Sequence, residues 1–397
     1  MITIDAGFLL ACRFLLLGSR KCYDIGQRPR NYPPGPPTLP LIGNLHQIPS
    51  EKRHLQFQKW ALEYGPIYSL ILGTKVIIVL NSDVAFKELV DRRGAVYSSR
   101  PEAILFIWPA RRILSVSAAR TYGPYQDLEK KAMLLGFLKD SGNFITTAAL
   151  LDLVPALRTL PELILPIKRE GKKIMVENNF PAYIGGSLLQ AGSETTAAIL
   201  FGLVQAITIF PDVAKAAQAE LDCVCGDRMP DLNDFPNLPY IRACAKESLR
   251  WMPGFMLGIP HSVTQDNVYI GYHIPKGSTI IMNVWAVHND IQRHPHPRRF
   301  DPVRYINDHQ TSIDAANNPD ATKRDHFVFG AGRRRCQGMH IANQSIFLAI
   351  SPVDQETSKE IIPDINDMAD GIMMRPKPVP AHIRPRSASK AEYIKQE

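Results

Sequence analysis

One cysteine of this chain stands in a setting that changes its chemistry. Cys336 lies in Phe329-Gly-Ala-Gly-Arg-Arg-Arg-Cys-Gln-Gly338, a glycine-rich and strongly cationic stretch. The residues that follow, Met339 to Ile350, read as an apolar helix. A thiol at a helix start feels the positive end of the helix dipole, and three neighbouring arginines also favour the thiolate. Gly332 and Gly338 let the backbone turn tightly, so that amide N–H groups can point at the sulfur and a flat ligand can approach. A soft, charged sulfur beside cations suits an iron whose macrocycle carries carboxylates. A free, half-buried cysteine next to a basic loop is the other reading.

A second group of chemically useful residues is Gln190-Ala-Gly-Ser-Glu-Thr-Thr-Ala197, inside an apolar run from about Ala182 to Ile209. A hydroxyl and a carboxylate inside a greasy helix are costly unless they are used or satisfied. Ala191 and Gly192 leave room beside the helix, a Thr195 hydroxyl can hydrogen-bond a ligand there, and Glu194 can carry protons from solvent. Thr hydroxyls bonded back to the preceding turn are the alternative. Further on, Glu247 and Arg250 stand three apart on a helix predicted over Tyr240–Trp251, so they share one face. Such pairs are common and weak when solvated.

Taken together and in order, these segments resemble the cytochrome P-450 family. The cysteine loop matches its F-x-x-G-x-R-x-C-x-G signature at every fixed position: Phe329, Gly332, Arg334, Cys336 and Gly338. The apolar segment matches A-G-x-[DE]-T-T, Glu247 and Arg250 match E-x-x-R, and Phe300-Asp-Pro-Val-Arg-Tyr305 matches F-x-P-x-R-F/Y. The resemblance implies haem b with Cys336 as proximal iron ligand. It implies a propionate contact for Arg334, and dioxygen and proton handling for Thr195 and Glu194; His261 of Gly258-Ile-Pro-His261 is either a second propionate donor or a solvent-facing loop histidine. Glu247, Arg250 and Arg304 would form a structural cluster, and Phe255 to Ile259 would touch substrate. The implied fold is mostly α with a smaller β-rich part, the cytochrome P-450 fold, in an incomplete form. The implied reaction is insertion of one oxygen atom from dioxygen into a lipophilic small molecule. Its electrons would come from NADPH through NADPH-cytochrome P-450 reductase, as in fungal microsomal members acting in secondary metabolism or xenobiotic oxidation.

The elements that must position these residues follow from the remaining sequence. The chain has 397 residues, 45% of them hydrophobic, enough for a substantial core. Its six cysteines suggest neither a disulfide framework nor a zinc site. The net charge of +8 comes without a zinc finger, an RNA-binding signature or an aromatic–basic stripe, which argues against nucleic acid. It suits an anionic membrane surface and an acidic electron donor. Val268 to Trp285 reads as two strands about a turn at Pro275-Lys-Gly277, with Gly271 to Ile274 as scaffold. His294-Pro-His-Pro297 reads as a surface turn.

Residues 1–31 read as a shortened membrane anchor, because Gly7 to Gly18 is apolar but short and holds Arg13. An interfacial helix or a signal peptide is the alternative. The proline-rich Tyr32-Pro-Pro-Gly-Pro-Pro37 then opens a haem-binding domain over 32–397, placed on the cytosolic face of the endoplasmic reticulum by the resemblance.

The resemblance also breaks. The expected W-x-x-x-R occurs only as Trp108-Pro-Ala-Arg-Arg112, upstream of Tyr122-Gly-Pro-Tyr-Gln-Asp-Leu-Glu129 rather than after it. Sequence is short for the family between Lys139 and Leu153 and between Gly171 and Phe180, and Pro352 would end the cysteine-side helix early. Losing a propionate partner weakens haem retention, and losing the roof admits water that uncouples oxygen reduction. Three readings follow: a monooxygenase, a haem protein without turnover, and a scaffold without haem.

Overall fold

The computed structural model describes residues 24–101 and 180–350, with short stretches at 364–365, 368–369 and 375–377. The expectations about residues 1–23, Trp108 and Arg112, the Tyr122–Glu129 segment, spans 139–153 and 171–179 and Pro352 lie outside the described residues. The chain forms two compact units, both running through the span 32–397. One comprises Met1–Leu80, Ala95–Leu189 and Pro260–Ile281; the other comprises Asn81–Gly94, Gln190–Ile259 and Met282–Glu397.

The first unit is built on β-structure. Helix α1 (Arg53–Tyr64) precedes β1 (Ile67–Leu72) and β2 (Lys75–Leu80). The two strands pair antiparallel from Ile67↔Leu80 to Leu72↔Lys75. Their aliphatic and β-branched side chains suit a pleated surface, and β1 is buried along its whole length. Phe57 and Trp60 of α1 pack on Tyr68 of β1, with ring centroids 6.4 and 6.2 Å apart. Later come β3 (His261–Ser262), β4 (Asn267–Tyr269), β5 (Tyr272–Ile274) and β6 (Thr279–Met282). The main sheet has the order β1-β2-β6-β3, and β4-β5 stands as a separate two-stranded sheet.

The turn expected to join two paired strands at Pro275-Lys-Gly277 does not do so. The hairpin closes at Ile270 and Gly271, with φ of 42° and 84°, between Tyr269 and Tyr272. Two positive φ values match the right-handed twist of the flanking strands. An isoleucine in that region is rare, which hides the turn from sequence reading. Pro275 to Ser278 instead turns the chain from β5 into β6 of the other sheet, with the Ser278 N–H donating to the Pro275 carbonyl at 3.1 Å.

The second unit is helical. Its main elements are the long α2 (Phe180–Ile209) from Gln190 onward, α3 (Pro211–Cys225), α4 (Pro239–Trp251) and α5 (Met339–Ile350). Three of them, α2, α4 and α5, are the helices that the apolar patterns predicted, within a few residues, whereas α3 was not predicted. Leu203, Ala206 and Ile207 of α2 share a core with Leu221 of α3, Ile241, Leu249 and Trp251 of α4, and Ile346 and Phe347 of α5. Each large aliphatic side chain so buried contributes about 1.5–3 kcal/mol. Both α3 and α4 begin with proline, whose missing N–H is no loss in a first turn. The Glu220 carboxylate of α3 accepts the Tyr240 and Ile241 N–H groups, both at 2.9 Å, and so caps α4. Among the described residues, no single helix is long and apolar enough to cross a membrane.

Candidate active site

The cysteine loop is shaped by backbone hydrogen bonds at its base. Gly330 and Gly332 take φ of 71° and 63°, where a side chain would be strained. The Gly330 N–H donates to the Phe327 carbonyl at 3.0 Å, and the Cys336 N–H donates to the Phe329 carbonyl at 2.9 Å. Between them runs a single 3-10 turn, Gly332–Arg334, and the Asp91 carboxylate accepts the Gly332 N–H at its start. Lys87 holds the same carboxylate at 3.1 Å. Gly338 follows, and its carbonyl takes the Ala342 N–H at 2.9 Å, so α5 begins just beyond the thiol.

The Cys336 side chain is exposed. Arg333 and Arg334 are also exposed, whereas Arg335 turns aside to the Asn317 amide oxygen at 2.8 Å. Among the described residues, no three His, Cys, Asp or Glu side chains gather to hold a metal. The loop thus offers one soft ligand, exposed at a helix start with cations nearby. That donor set fits a metal which brings its other donors in a macrocycle, as haem does.

Behind the loop lies a buried polar frame. Glu247 and Arg250 are both fully buried, and the guanidinium grips the carboxylate at 2.6 and 2.7 Å. Glu247 also accepts the Asp301 N–H at 2.9 Å. Arg304 stands 3.7 Å from that carboxylate, and its hydrogen bonds run to the Pro295 and His296 carbonyls. The expected three-residue cluster is therefore present, with Arg304 as its looser member.

Arg250 also donates to the His288 carbonyl at 2.8 Å, while His288 Nδ1 donates to the Arg250 carbonyl at 2.9 Å. His288 Nε2 accepts the Phe327 N–H at 2.8 Å. Burial pushes the His288 ring well below the ordinary histidine range. The Phe327 ring meets Phe86 edge-on at 5.0 Å and lies 4.3 Å beneath the Arg324 guanidinium. Half-buried Phe329 packs against His326 at 5.3 Å. Burial lowers His326 to about 4. Burial alone would raise its neighbour Asp325, but His326, Lys246 and hydrogen bonds from the His326 N–H and Ser312 hold that carboxyl below its usual range.

The remaining predicted residues take varied positions. Thr195 is half-buried on α2 and its hydroxyl donates to the Ala191 carbonyl, one turn back. Its lone pairs stay available as acceptors. Glu194, Ala191 and Gly192 are exposed. His261 belongs to the first unit, buried in β3, with Nδ1 bonded to the Tyr97 carbonyl at 2.8 Å. A carbonyl only accepts, so Nδ1 carries the proton and Nε2 of the neutral ring is an acceptor. Donation from Nε2 to a carboxylate requires the doubly protonated ring.

Within Phe255 to Ile259, Met256 is buried in the core and Ile259 is exposed. The turn at His294-Pro-His-Pro297 is not wholly superficial, because His294 is buried while His296 faces solvent. Sequence reading missed His288 and Asp91. Each binds main-chain groups, which leave no signature in a side-chain pattern.

The sequence matches the cytochrome P-450 family model over residues 33–116 and 170–380. It is 47% identical over 488 residues to the cytochrome P-450 monooxygenase virE of Hypocrea virens, covering 94% of this chain and 89% of the relative. Identity to fogE of Aspergillus ruber, another cytochrome P-450 monooxygenase, is 46% over 512 residues, covering 100% of this chain and 94% of that protein. With fsoB of Humicola fuscoatra, also a cytochrome P-450 monooxygenase, it is 39% over 476 residues, covering 94% and 90%. Each aligned span exceeds the 397 residues of this chain, so each includes residues of the relative that have no counterpart here. The family match itself breaks between residues 116 and 170.

Proposed function

This chain belongs to the cytochrome P-450 family, a haem b family, and from that premise we propose that it is a haem-thiolate monooxygenase. It transfers one oxygen atom from dioxygen to a lipophilic small molecule, with electrons from NADPH delivered by NADPH-cytochrome P-450 reductase. The observation that carries this reading is the exposed Cys336 thiol on a loop whose base is fixed by hydrogen bonds to Phe329, Asp91 and, through Phe327, His288. The named relatives, all cytochrome P-450 monooxygenases, support the reaction class. The basic net charge and the apolar, then basic, then proline-rich order of the first 37 residues support work at a membrane surface of the endoplasmic reticulum.

Bound haem supplies the oxygen-activating chemistry. The chain's own residues do the rest. Cys336 would hold the iron, exposed just before the start of α5 with Arg333 and Arg334 beside it. Arg334 is the propionate donor, by charge and by its exposed place two residues before the thiol. Thr195, its hydroxyl engaged with Ala191, accepts a hydrogen bond from a water or substrate beside α2. Solvent-facing Glu194 brings protons to that position. His261 anchors β3 to the main chain of Tyr97.

A second reading, haem binding without productive turnover, is supported by the break in the family match between residues 116 and 170. The reduced, carbon monoxide-bound spectrum tests the thiolate: a red-shifted Soret band is expected, absent in Cys336→Ala. If Cys336→Ala kept the shifted band, the ligand assignment would be wrong. NADPH-dependent product formation with added reductase then separates turnover from binding alone.

A further inference from the structure

His288 ends the short helix Val284–His288, which Asn283 caps by accepting the Ala286 N–H. Its ring is buried completely, and both nitrogens meet main-chain groups of fixed polarity. The Arg250 carbonyl only accepts, so Nδ1 bears the proton. The Phe327 N–H only donates, so Nε2 is bare. The ring is therefore a neutral imidazole in one tautomer. Arg250 answers with its own guanidinium on the His288 carbonyl, which makes a two-way clasp. On one side of this ring stands the Glu247–Arg250 pair. On the other stands Phe327, whose carbonyl takes the Gly330 N–H, and two residues later the Phe329 carbonyl takes the Cys336 N–H.

We propose that His288 is a positioning residue for the thiolate, the strut through which the buried Glu247–Arg250 pair sets the place of the cysteine loop and hence the sulfur–iron bond. This rests on the haem-thiolate reading above. Neutrality is part of the design. Burial disfavours a positive charge on the ring, and so do the nearby Arg250 and Arg293 cations, while His294 and His326 are themselves held neutral. A protonated ring would turn a second donor on the Phe327 N–H and push it away. Phenylalanine keeps the ring's bulk but leaves the Phe327 N–H and the Arg250 carbonyl unsatisfied, at a cost that falls on the loop.

The test compares the full chain with His288→Phe and His288→Gln by two readouts. The first is amide exchange at Phe327 in the haem-free chain, with amides of α3 as internal reference. The second is the ratio of red-shifted to unshifted Soret band in the reduced, carbon monoxide-bound protein at equal haem content. We expect His288→Phe to speed Phe327 exchange about tenfold or more while α3 is unchanged, and to move most of the band to the unshifted position. Glutamine, which keeps one donor and one acceptor on a flexible stem, should fall between. Unchanged Phe327 exchange, or a fully red-shifted band at wild-type haem content, overturns the proposal. Where His288→Phe does not fold, His288→Gln decides by the same two criteria. A wild-type chain without the shifted band overturns the haem-thiolate reading and the spectral half of this one, while the exchange arm still decides whether the strut exists.

Discussion

Gly332 lies against Val90 so closely that a β-carbon at position 332 would stand 2.1 Å from the Val90 carbonyl oxygen. The same residue has φ of 63° and gives its N–H to Asp91. Space and dihedral both demand glycine, because backbone faces it on the crowded side and φ is positive, while the hydrogen bond to Asp91 fixes the loop against that backbone. Gly332→Ala therefore has to shift the cysteine loop away from the Val90–Asp91 segment. Positive φ alone costs about 1 kcal/mol, and the clash adds to it. We expect haem content after expression to fall several-fold. Gly271→Ala is the control: φ there is 84°, but nothing stands within 4 Å, so only the dihedral cost applies and haem content should hold.

Glu247 and Arg250 predict a non-additive pair. Removing either partner leaves the other charge buried and unpaired, which costs about 3–5 kcal/mol. Glu247→Ala also strips the acceptor of the Asp301 N–H, and Arg250→Ala strips the donor to the His288 carbonyl. Urea unfolding of Glu247→Leu, Arg250→Met and the double variant should show the double losing clearly less than the sum of the singles. Additive losses would mean that the two groups do not act as a pair.

How much of this was legible depended on whether a residue's partner was a side chain. The helices over Tyr240–Trp251 and Met339–Ile350 follow from apolar spacing, and the facing of Glu247 and Arg250 follows from their separation of three. The looseness of Arg304 was not legible, because its hydrogen bonds go to the carbonyls of Pro295 and His296. Thr195 shows the reverse. The back-bond to Ala191, weighed from sequence as the alternative, is the contact the helix makes. The hairpin turn at Ile270–Gly271 escaped because its conformation overrides the preference of isoleucine.

Buried neutral histidines make stability pH-dependent with a definite sign. Burial lowers His326 to about 4 and His294 to about 3, and drives His288 down as well, against an ordinary value of 6.5. Above pH 6.5 neither folded nor unfolded chain protonates these rings. Below it the unfolded chain takes up protons that the folded chain refuses. Stability is thus full above 6.5 and falls on acidification by about 1.4 kcal/mol per pH unit for each ring. The fall from His326 ends near pH 4 and that from His294 near pH 3. Urea midpoints measured from pH 7.5 to about pH 5 should decline, and His326→Phe should decline less steeply than wild type.

Thr195→Val removes a hydroxyl while keeping the β-branched shape. Its back-bond to Ala191 is local, so α2 should change in stability by less than about 1 kcal/mol. The effect should appear instead in the balance of products. With reductase and substrate, hydrogen peroxide released per NADPH consumed should rise several-fold at unchanged haem content. An unchanged ratio would remove Thr195 from proton and oxygen handling.

The partners named for the cysteine loop share an address. Val90 and Asp91 come from the Asn81–Gly94 stretch, Glu247 and Arg250 from α4, and His288, Arg324, His326 and Phe327 from the chain after Met282. Three segments far apart in the sequence thus meet at one loop within one compact unit. A substitution in any of them can displace the sulfur while every residue from Phe329 to Gly338 stays the same.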